Sequence, residues 1–141
     1  MRRAVILAAV LLTGCATVKD DARLAVAADA ATTLIGVSSG LVVEANPLIT
    51  SPGALAASVA ARLALIEYAD EQYLPLINSV NWGVVGNNVA AIAGALPPLA
   101  VAVGFVSGLL AYRRAVLAQH LEGACNAVRM DHPGAVCRWK E

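Results

Sequence analysis

The stretch QYLPLINSVNWGVVGNNVAAIAGALPPLAVAVGFVSGLLAY, residues 72–112, contains no charged residue, and it indicates the fold class of the whole chain. A helix over 82–112 would be about 45 Å long at 1.5 Å per residue, which matches a bilayer with its headgroups. Pro97 and Pro98 lie in its middle, where they kink the helix or turn it back as a re-entrant hairpin. Because each half of a hairpin would have only about fourteen residues, too few to cross alone, we expect one kinked span.

Two further helices are predicted before this stretch and one after it. The first, over 24–43, is apolar except for Asp29 and ends at the Glu44-Ala45-Asn46-Pro47 segment, because the residue before a proline disfavours helix. The second, over 54–73, follows Ser51-Pro52-Gly53, and Pro75 and Asn78 are expected to form the next break. After Arg113 and Arg114 a short amphipathic helix is expected to run to about residue 127.

The composition is typical of a chain that folds in lipid. It is 59% hydrophobic and 14% charged, against roughly 25% charged in soluble domains. Ten basic and ten acidic residues cancel, so no net field favours nucleic acid. Small residues let helices approach closely in lipid. We therefore expect an all-α fold, a small membrane-embedded bundle of two or three hydrophobic helices with a short C-terminal amphipathic helix and a disulfide-closed tail.

The first fifteen residues have the layout of a secretory leader. Arg2 and Arg3 precede an apolar run over 4–12, and Leu12-Thr13-Gly14-Cys15 follows. This motif resembles the lipobox of bacterial lipoprotein precursors. The resemblance implies that the Cys15 thiol is lipidated, that cleavage precedes it, and that acyl chains anchor the mature chain. The expected organisation is a signal peptide (1–14), a lipidated stalk (15–23), a hydrophobic helical domain (24–112) and a polar C-terminal helix and tail (113–141).

The same resemblance implies a location. A lipoprotein of this kind lies in the cell envelope, with its N-terminus facing the periplasm. Ala16 stands where an aspartate would retain the protein at the inner membrane. This leans towards the outer membrane, whereas hydrophobic helices argue for the inner one, so the choice between them stays open.

Two cysteines remain after Cys15. Cys125 and Cys137 flank a His132-Pro133-Gly134 turn, and in an oxidising periplasm the simplest expectation is a disulfide. A metal site that adds Asp131 and His132 fits no recognised zinc spacing. We expect no metal and no cofactor.

The side of the membrane on which this pair lies depends on the number of crossings. Three crossings place Arg113 and Arg114 in the cytoplasm, as the positive-inside rule favours, but leave the thiols in a reducing compartment. Two crossings, with the first stretch not spanning, return the tail to the periplasm. The disulfide slightly favours two crossings.

One face of the first predicted helix carries a polar pattern. Asp29, Thr33, Gly36, Gly40 and Glu44 follow one another in steps of three or four residues, and Ala28, Thr32, Gly36 and Gly40 form an adjoining small-residue ladder. Arg62 in the second helix is the expected countercharge. An ionisable residue at membrane depth is a functional hypothesis, but a structural staple between two helices is the better interpretation.

A second resemblance rests on the same region. The order Asp29-x-x-Thr32-Thr33, a glycine-rich stretch, and Glu44-x-Asn46-Pro47-Leu48 is similar to a group of small uncharacterised bacterial and phage membrane proteins. Their shared core continues with a helix that has one basic residue, the place of Arg62 here. The resemblance covers roughly residues 25–110 and implies an architecture without a known activity.

The remaining polar residues give no sign of catalysis. Asn87 and Asn88 lie in the apolar stretch, where amides usually hydrogen-bond to a neighbouring helix; a pore lining is the alternative. The sequence has no nucleophile elbow, zinc-protease motif or phosphate loop, and His120 and His132 are expected at the surface. No catalytic residue and no small-molecule substrate are identified.

These observations predict a non-enzymatic membrane protein. The leading hypothesis is an interaction or assembly component of the envelope, whose partners are membrane lipid and either a second copy or another membrane helix, without nucleic acid. One alternative is a phage-type lysis or exclusion factor that perturbs the membrane. Another is a small ion or proton pathway through Asp29, Glu44 and Arg62.

Overall fold

The part of the chain that the structure describes folds into four helices that run alternately up and down. A computed structural model describes residues 17–40, 51–134 and 136. They form α1 (Val18–Ser38), α2 (Pro52–Tyr68), a 3-10 turn (Glu71–Tyr73), α3 (Leu74–Ile92) and α4 (Pro97–Asp131), with no strand among them. The all-α class is therefore confirmed, and the described helices number four, as three hydrophobic helices and a short amphipathic one would, although their boundaries differ.

Side-chain caps determine where α1 and α2 begin. The Thr17 hydroxyl accepts a hydrogen bond from the Asp20 amide at 3.2 Å, and the Ser51 hydroxyl accepts one from the Ala54 amide at 3.2 Å. Asp20 and Asp21 in the first turn of α1 also favour its positive end. The polar segment predicted to be a stalk over 15–23 is therefore helical from Val18 onward, and that prediction is wrong for 18–23.

The second helix and the break after it also differ from expectation. α2 ends at Tyr68, earlier than the predicted 73, and a 3-10 turn follows. Pro75 and Asn78, expected to interrupt the chain, lie within the first turns of α3. Pro75 is tolerated there because the first amides of a helix have no intrahelical acceptor.

The predicted kinked helix over 82–112 is wrong, because the chain turns back between α3 and α4. Gly94 has a φ of +88°, which favours glycine, and its amide bonds the Ala91 carbonyl at 2.9 Å. Pro97 and Pro98 occupy the first turn of α4, where a proline ring starts a helix and does not bend one. The uncharged stretch is therefore a helical hairpin with a turn at 93–96.

The last helix is much longer than its apolar part. α4 has 35 residues, about 52 Å at 1.5 Å per residue, and continues through Arg113 and Arg114 without a break. The separate C-terminal helix and the domain boundary at 113 are therefore not observed. Between 122 and 131 all residues of α4 except Cys125 are exposed.

Contacts between the helices fix their relative directions. Arg23 and Asp29 of α1 meet Glu67 and Arg62 of α2, so these helices are antiparallel. Asp21 and Asp29 meet Asn78 and Asn88, so α1 and α3 are parallel. Gly83 and Ser79 of α3 lie against Gly104 and Gly108 of α4, so α3 and α4 are antiparallel. All four helices contribute to one apolar cluster: Val18, Ala22, Val26, Ile66, Leu74 and Ala115.

Candidate functional site: a polar core and an apolar groove

A charged and amide-rich cluster lies among α1, α2 and α3, and we call Asp29, Arg62, Asn81 and Asn88 the polar core. Asp29 is 3% exposed. One of its carboxylate oxygens accepts a hydrogen bond from the Arg62 guanidinium, and the other accepts one from the Asn88 amide at 3.0 Å. The predicted countercharge is thus in place, and both oxygens of the carboxylate are occupied by donors.

Further hydrogen bonds extend the polar core along α1. The Asn88 amide lies 3.3 Å from the hydroxyl oxygens of both Thr32 and Thr33. Arg62 also donates to the Asn81 side-chain oxygen at 3.3 Å, while the Asn81 amide donates to the Ile77 carbonyl at 2.9 Å. The expectation that Asn88 bonds to a neighbouring helix is therefore confirmed.

A second polar contact joins α1 to α3 about two turns nearer the start of α1 and one to three turns nearer the start of α3. Asn78 is fully buried and donates to an Asp21 carboxylate oxygen at 2.6 Å, and the Trp82 indole donates to the other at 3.3 Å. The Asn78 side-chain oxygen is buried and has no partner within 17–40, 51–134 and 136. Asn78 and Asn81 were not predicted as site residues, but their spacing of three, and of seven to Asn88, places all three amides on one helical face.

The beginning of α1 and the end of α2 form what we call the charged end: Lys19, Asp20, Arg23 and Glu67. Glu67 accepts from Lys19 at 3.2 Å and from Arg23 at 2.6 Å. The hydrogen bond from Arg23, and then that from Lys19, hold the pKa of Glu67 below its usual value. The Thr17 hydroxyl lowers the pKa of Asp20, with Arg23 contributing less. Gln119 of α4 donates to the Glu71 carbonyl nearby.

An open groove of about 550 Å³ lies between α3 and α4. Glycines bring these helices close together: a Cβ on Gly104 would lie 2.7 Å from the Gly83 carbonyl oxygen, and one on Gly108 would lie 2.8 Å from that of Ser79. Val80, Val84, Val101, Phe105 and Leu109 are among the apolar residues that line the groove. Asn87 also lines it, and the Asn87 side chain forms no hydrogen bond with another of the described residues.

The distribution of residue types between interior and surface is inverted. The interior holds Asp29, Asn78 and Asn81 together with mostly small apolar residues. Large apolar side chains are on the outside, among them Leu76 (57% exposed), Leu99 (58%) and Phe105 (71%). Leu34, Ile35, Val101, Val106, Leu110 and Leu117 continue this exposed apolar surface.

The predicted packing face of α1 is only partly observed. Gly36 is buried, whereas Gly40 is exposed, with a φ of +68° and no atom within 4 Å of a built Cβ. Gly40 follows the C-terminal cap of α1, and its amide bonds the Val37 carbonyl at 3.1 Å. Gly40 therefore packs against no other described helix, and its contact with a helix of another chain stays a prediction. The close glycine contacts lie instead between α3 and α4. In the sequence, they are indicated by small residues that follow one another in steps of three or four along α4: Ala100, Gly104, Gly108, Ala111 and Ala115.

Several predicted site residues lie outside the described residues: Cys15, Glu44, Asn46, Pro47 and Cys137. Cys125 is buried on α4. Its pairing with Cys137 stays a prediction. Within 17–40, 51–134 and 136, no group of three or more His, Cys, Asp and Glu residues is arranged to hold a metal ion.

Comparison with models of protein families, with curated proteins and with solved structures finds no match. Among the described helices, α4 is long and apolar enough to cross a membrane, by length and composition. The hydropathy of α1 and α3 is lowered by Asp29 and by the asparagines, and these polar side chains mostly face one another in the bundle.

Proposed function

We propose that this protein is a lipid-anchored, membrane-embedded component of the bacterial cell envelope that acts by assembly and not by catalysis. The inverted distribution of polar and apolar residues is the observation that carries this proposal. In water, large exposed apolar side chains mark a surface that is buried against something. Lipid is a partner that covers them all round, while a buried ion pair and amides satisfy one another inside.

The anchor is proposed from the lipobox-like leader. α1 begins at Val18, three residues after Cys15, so acyl chains on Cys15 would start beside the charged end. Lys19, Arg23 and Glu67 there suit the headgroup layer in which such a lipidated cysteine lies. The proposed anchor and the proposed membrane-embedded surface are therefore compatible in position.

The geometry of the polar core favours a structural staple over an ion or proton pathway. Both carboxylate oxygens of Asp29 accept hydrogen bonds from side chains of other helices. A carboxylate held in this way ties α1 to α2 and α3. We therefore assign Asp29, Arg62, Asn81 and Asn88 to holding the bundle together.

The groove between α3 and α4 is the surface that we assign to self-association, with a second copy of this chain as its occupant. Asn87 lies thirteen residues into α3, about 20 Å from its start, with its amide in the groove and unpaired within the described part of the chain. In lipid such an amide needs a partner. An amide is both donor and acceptor, so Asn87 side chains of two copies related by a twofold axis satisfy one another.

Membrane embedding and lipidation are tested together by comparing the wild type with Cys15→Ser. Radioactive palmitate is expected to label the wild type only, and alkaline carbonate is expected to leave both proteins in the membrane pellet, because the bundle is itself held by lipid. Release of Cys15→Ser into the supernatant would show that the bundle is not embedded. Label in Cys15→Ser, or none in the wild type, would contradict the anchor.

Self-association is tested with Asn87→Leu, using Val106→Leu as a control on the exposed, groove-free face of α4. Light scattering in detergent should show a wild-type dimer and a loss of about tenfold in dimer affinity for Asn87→Leu only. A monomeric wild type, or an unchanged Asn87→Leu dimer, contradicts the assigned surface. Collapse of the membrane potential on induction of the wild type would replace assembly by the membrane-perturbing alternative.

A further inference from the structure

We propose that the charged end is the surface that binds the lipid headgroups of the leaflet holding Cys15, so that all four helices cross the bilayer from that side and both chain termini lie on it. This inference rests on the proposed membrane embedding and adds the number of crossings and the side of the tail. The directions of the helices, the position of the charges and the length of the apolar section support it.

The alternating helix directions determine which elements share an end. The start of α1, the end of α2, the 3-10 turn and the Gln119 region of α4 lie together, as the Arg23–Glu67 and Gln119–Glu71 contacts show. The end of α1, the start of α2 and the 93–96 turn therefore lie at the opposite end. An even number of helices returns the chain to the end at which it began.

The charges of the described residues divide along the same axis. Apart from the mutually neutralised Asp29 and Arg62, they lie at the charged end or beyond it on the extension of α4. At the opposite end, residues 34–40, 51–61 and 93–100 contain none. In the sequence of the two connections at that end, 39–51 and 93–96, Glu44 is the one charged residue. This distribution of charges favours one end of the bundle at the lipid headgroups and the rest of the bundle in the hydrocarbon layer.

The apolar section has the thickness of one bilayer core. Residues 24–38 of α1 span about 22 Å, the whole of α3 about 28 Å, and residues 97–112 of α4 about 24 Å. These lengths are about 2 to 8 Å below the roughly 30 Å of hydrocarbon, so the bilayer must thin locally for all these helices to cross. Tyr112, Arg113 and Arg114 then lie at the headgroup layer of the Cys15 side, where aromatic and basic side chains are favoured.

This orientation removes a conflict in the predicted topology. Arg113 and Arg114 favour a tail in the cytoplasm, whereas a disulfide between Cys125 and Cys137 requires a tail in the periplasm. Three crossings would place the tail opposite the anchor, whereas four place it on the same side. Cys125 and Cys137 then share the oxidising compartment into which the leader delivers the chain. The arginines contact lipid phosphates of that leaflet and do not mark a cytoplasmic segment.

The test measures which positions share a side in sealed vesicles. The full, purified lipidated chain, with Cys125→Ser and Cys137→Ser and a C-terminal affinity tag, is reconstituted at low density in phosphatidylethanolamine and phosphatidylglycerol vesicles. Vesicles captured through the tag have the tail outside. A membrane-impermeant maleimide is then applied to three single variants at exposed positions: Gln72→Cys at the charged end, Gly123→Cys on the α4 extension and Ala93→Cys at the far turn.

We expect Gln72→Cys and Gly123→Cys to be labelled in intact captured vesicles, and Ala93→Cys to be labelled only after detergent is added. Protection of Gln72→Cys would place the charged end and the tail on opposite sides of the membrane and overturn the inference. Labelling of Ala93→Cys without detergent would show that the bundle does not cross. Flotation of the vesicles separates these outcomes from a failure of the proposed function, because a protein that does not float with lipid is not embedded at all.

Discussion

At the scale of single residues, the pairing of Asp29 with Arg62 shows how a charge can be buried in an apolar protein. Removing two ions from water costs several kcal/mol each, and their attraction offsets this cost only when other hydrogen bonds complete the set. Asn88 and Asn81 supply those bonds, one to each partner. The pair therefore adds specificity to the packing of α1, α2 and α3 more than net stability.

Breaking this pair on one side is expected to be costly. Asp29→Ala leaves Arg62 without its carboxylate in the polar core, and should lower the free energy of unfolding by about 3 kcal/mol. The double variant Asp29→Leu/Arg62→Met removes both charges and should recover most of this loss. Circular dichroism during SDS titration in mixed micelles measures both. A double variant as unstable as Asp29→Ala would contradict the staple.

The charged end predicts how stability depends on pH. The pKa of Glu67 is lowered by Arg23 and Lys19, and that of Asp20 by Thr17. A folded-state pKa below the unfolded value means that the stabilisation is complete above the unfolded pKa and is lost as the pH falls through the folded one. Stability should therefore be constant at neutral pH and decline below about 4.5, the ordinary pKa of Glu67.

The matched variant for this prediction is Glu67→Gln, which keeps the shape of the side chain and removes its titration. The slope of unfolding free energy against pH below 4.5 should be smaller in Glu67→Gln than in the wild type. Equal slopes in the two proteins would show that Glu67 is not held by Arg23 and Lys19 in solution.

At the scale of helices, the α3–α4 hairpin depends on glycines where the two backbones meet. A Cβ on Gly104 would lie 2.7 Å from a backbone oxygen, which no side-chain rotation relieves. A Cβ on Gly86 of α3 would lie 2.7 Å from the Ser107 Cβ, which side-chain rotation does not move either. The hairpin is therefore specified by glycines of both helices that lie directly against the facing helix.

Gly104→Ala and Gly123→Ala form a matched pair within one helix. Gly104→Ala should destabilise the protein by about 1 to 3 kcal/mol, as overpacking does. Gly123→Ala has nothing within 4 Å of the new Cβ and should stabilise α4 by about 0.5 to 1 kcal/mol, because alanine is the better helix former. SDS titration of both variants measures the difference. A Gly104→Ala protein as stable as the wild type would contradict the close approach.

The sequence alone predicts the all-helical class. It also predicts Arg62 as the countercharge of Asp29, and the two side chains are in contact. Arg62 was identified because a lone acidic residue in an apolar helix needs a countercharge. The sequence offers the hairpin only as the alternative to a kinked span, because Pro97 and Pro98 fit either a kink or a helix start, and the choice depends on how α3 and α4 pack. Asn81 was not predicted as a site residue for a related reason. Its role depends on which face of α3 meets α1, and apolar residues occur on every face of α3, so the hydrophobic pattern does not identify that face.

At the scale of the whole molecule, the bundle and the α4 extension are separable. Gln119 donates to the Glu71 carbonyl, and from residue 122 to the end of α4 all residues except Cys125 are exposed. A chain that ends at Gly123 is expected to keep the thermal midpoint of the full protein in detergent, whereas a chain that ends at Tyr112 loses Ala115 from the core cluster and should unfold at a lower temperature. Equal loss in both would show that the tail supports the bundle.

The same scale gives a prediction for the cysteines. If Cys125 and Cys137 are joined, the mature protein has no reactive thiol in denaturant until a reductant is added, because Cys15 is acylated. The intact mass should then rise by about 2 Da on reduction, for the two hydrogens gained. A thiol that reacts with maleimide before reduction would contradict either the disulfide or the lipid.

The position of α2 has a consequence for the internal motions of the bundle. α2 packs mainly against α1 and meets α3 through Arg62, while α1, α3 and α4 are joined by more extensive packing. An element supported on one flank opens at a lower free energy than the whole. Apart from the α4 extension beyond Gln119, deuterium uptake should therefore be fastest in residues 52–68, because α2 detaches and returns while α1, α3 and α4 stay packed and exchange slowly.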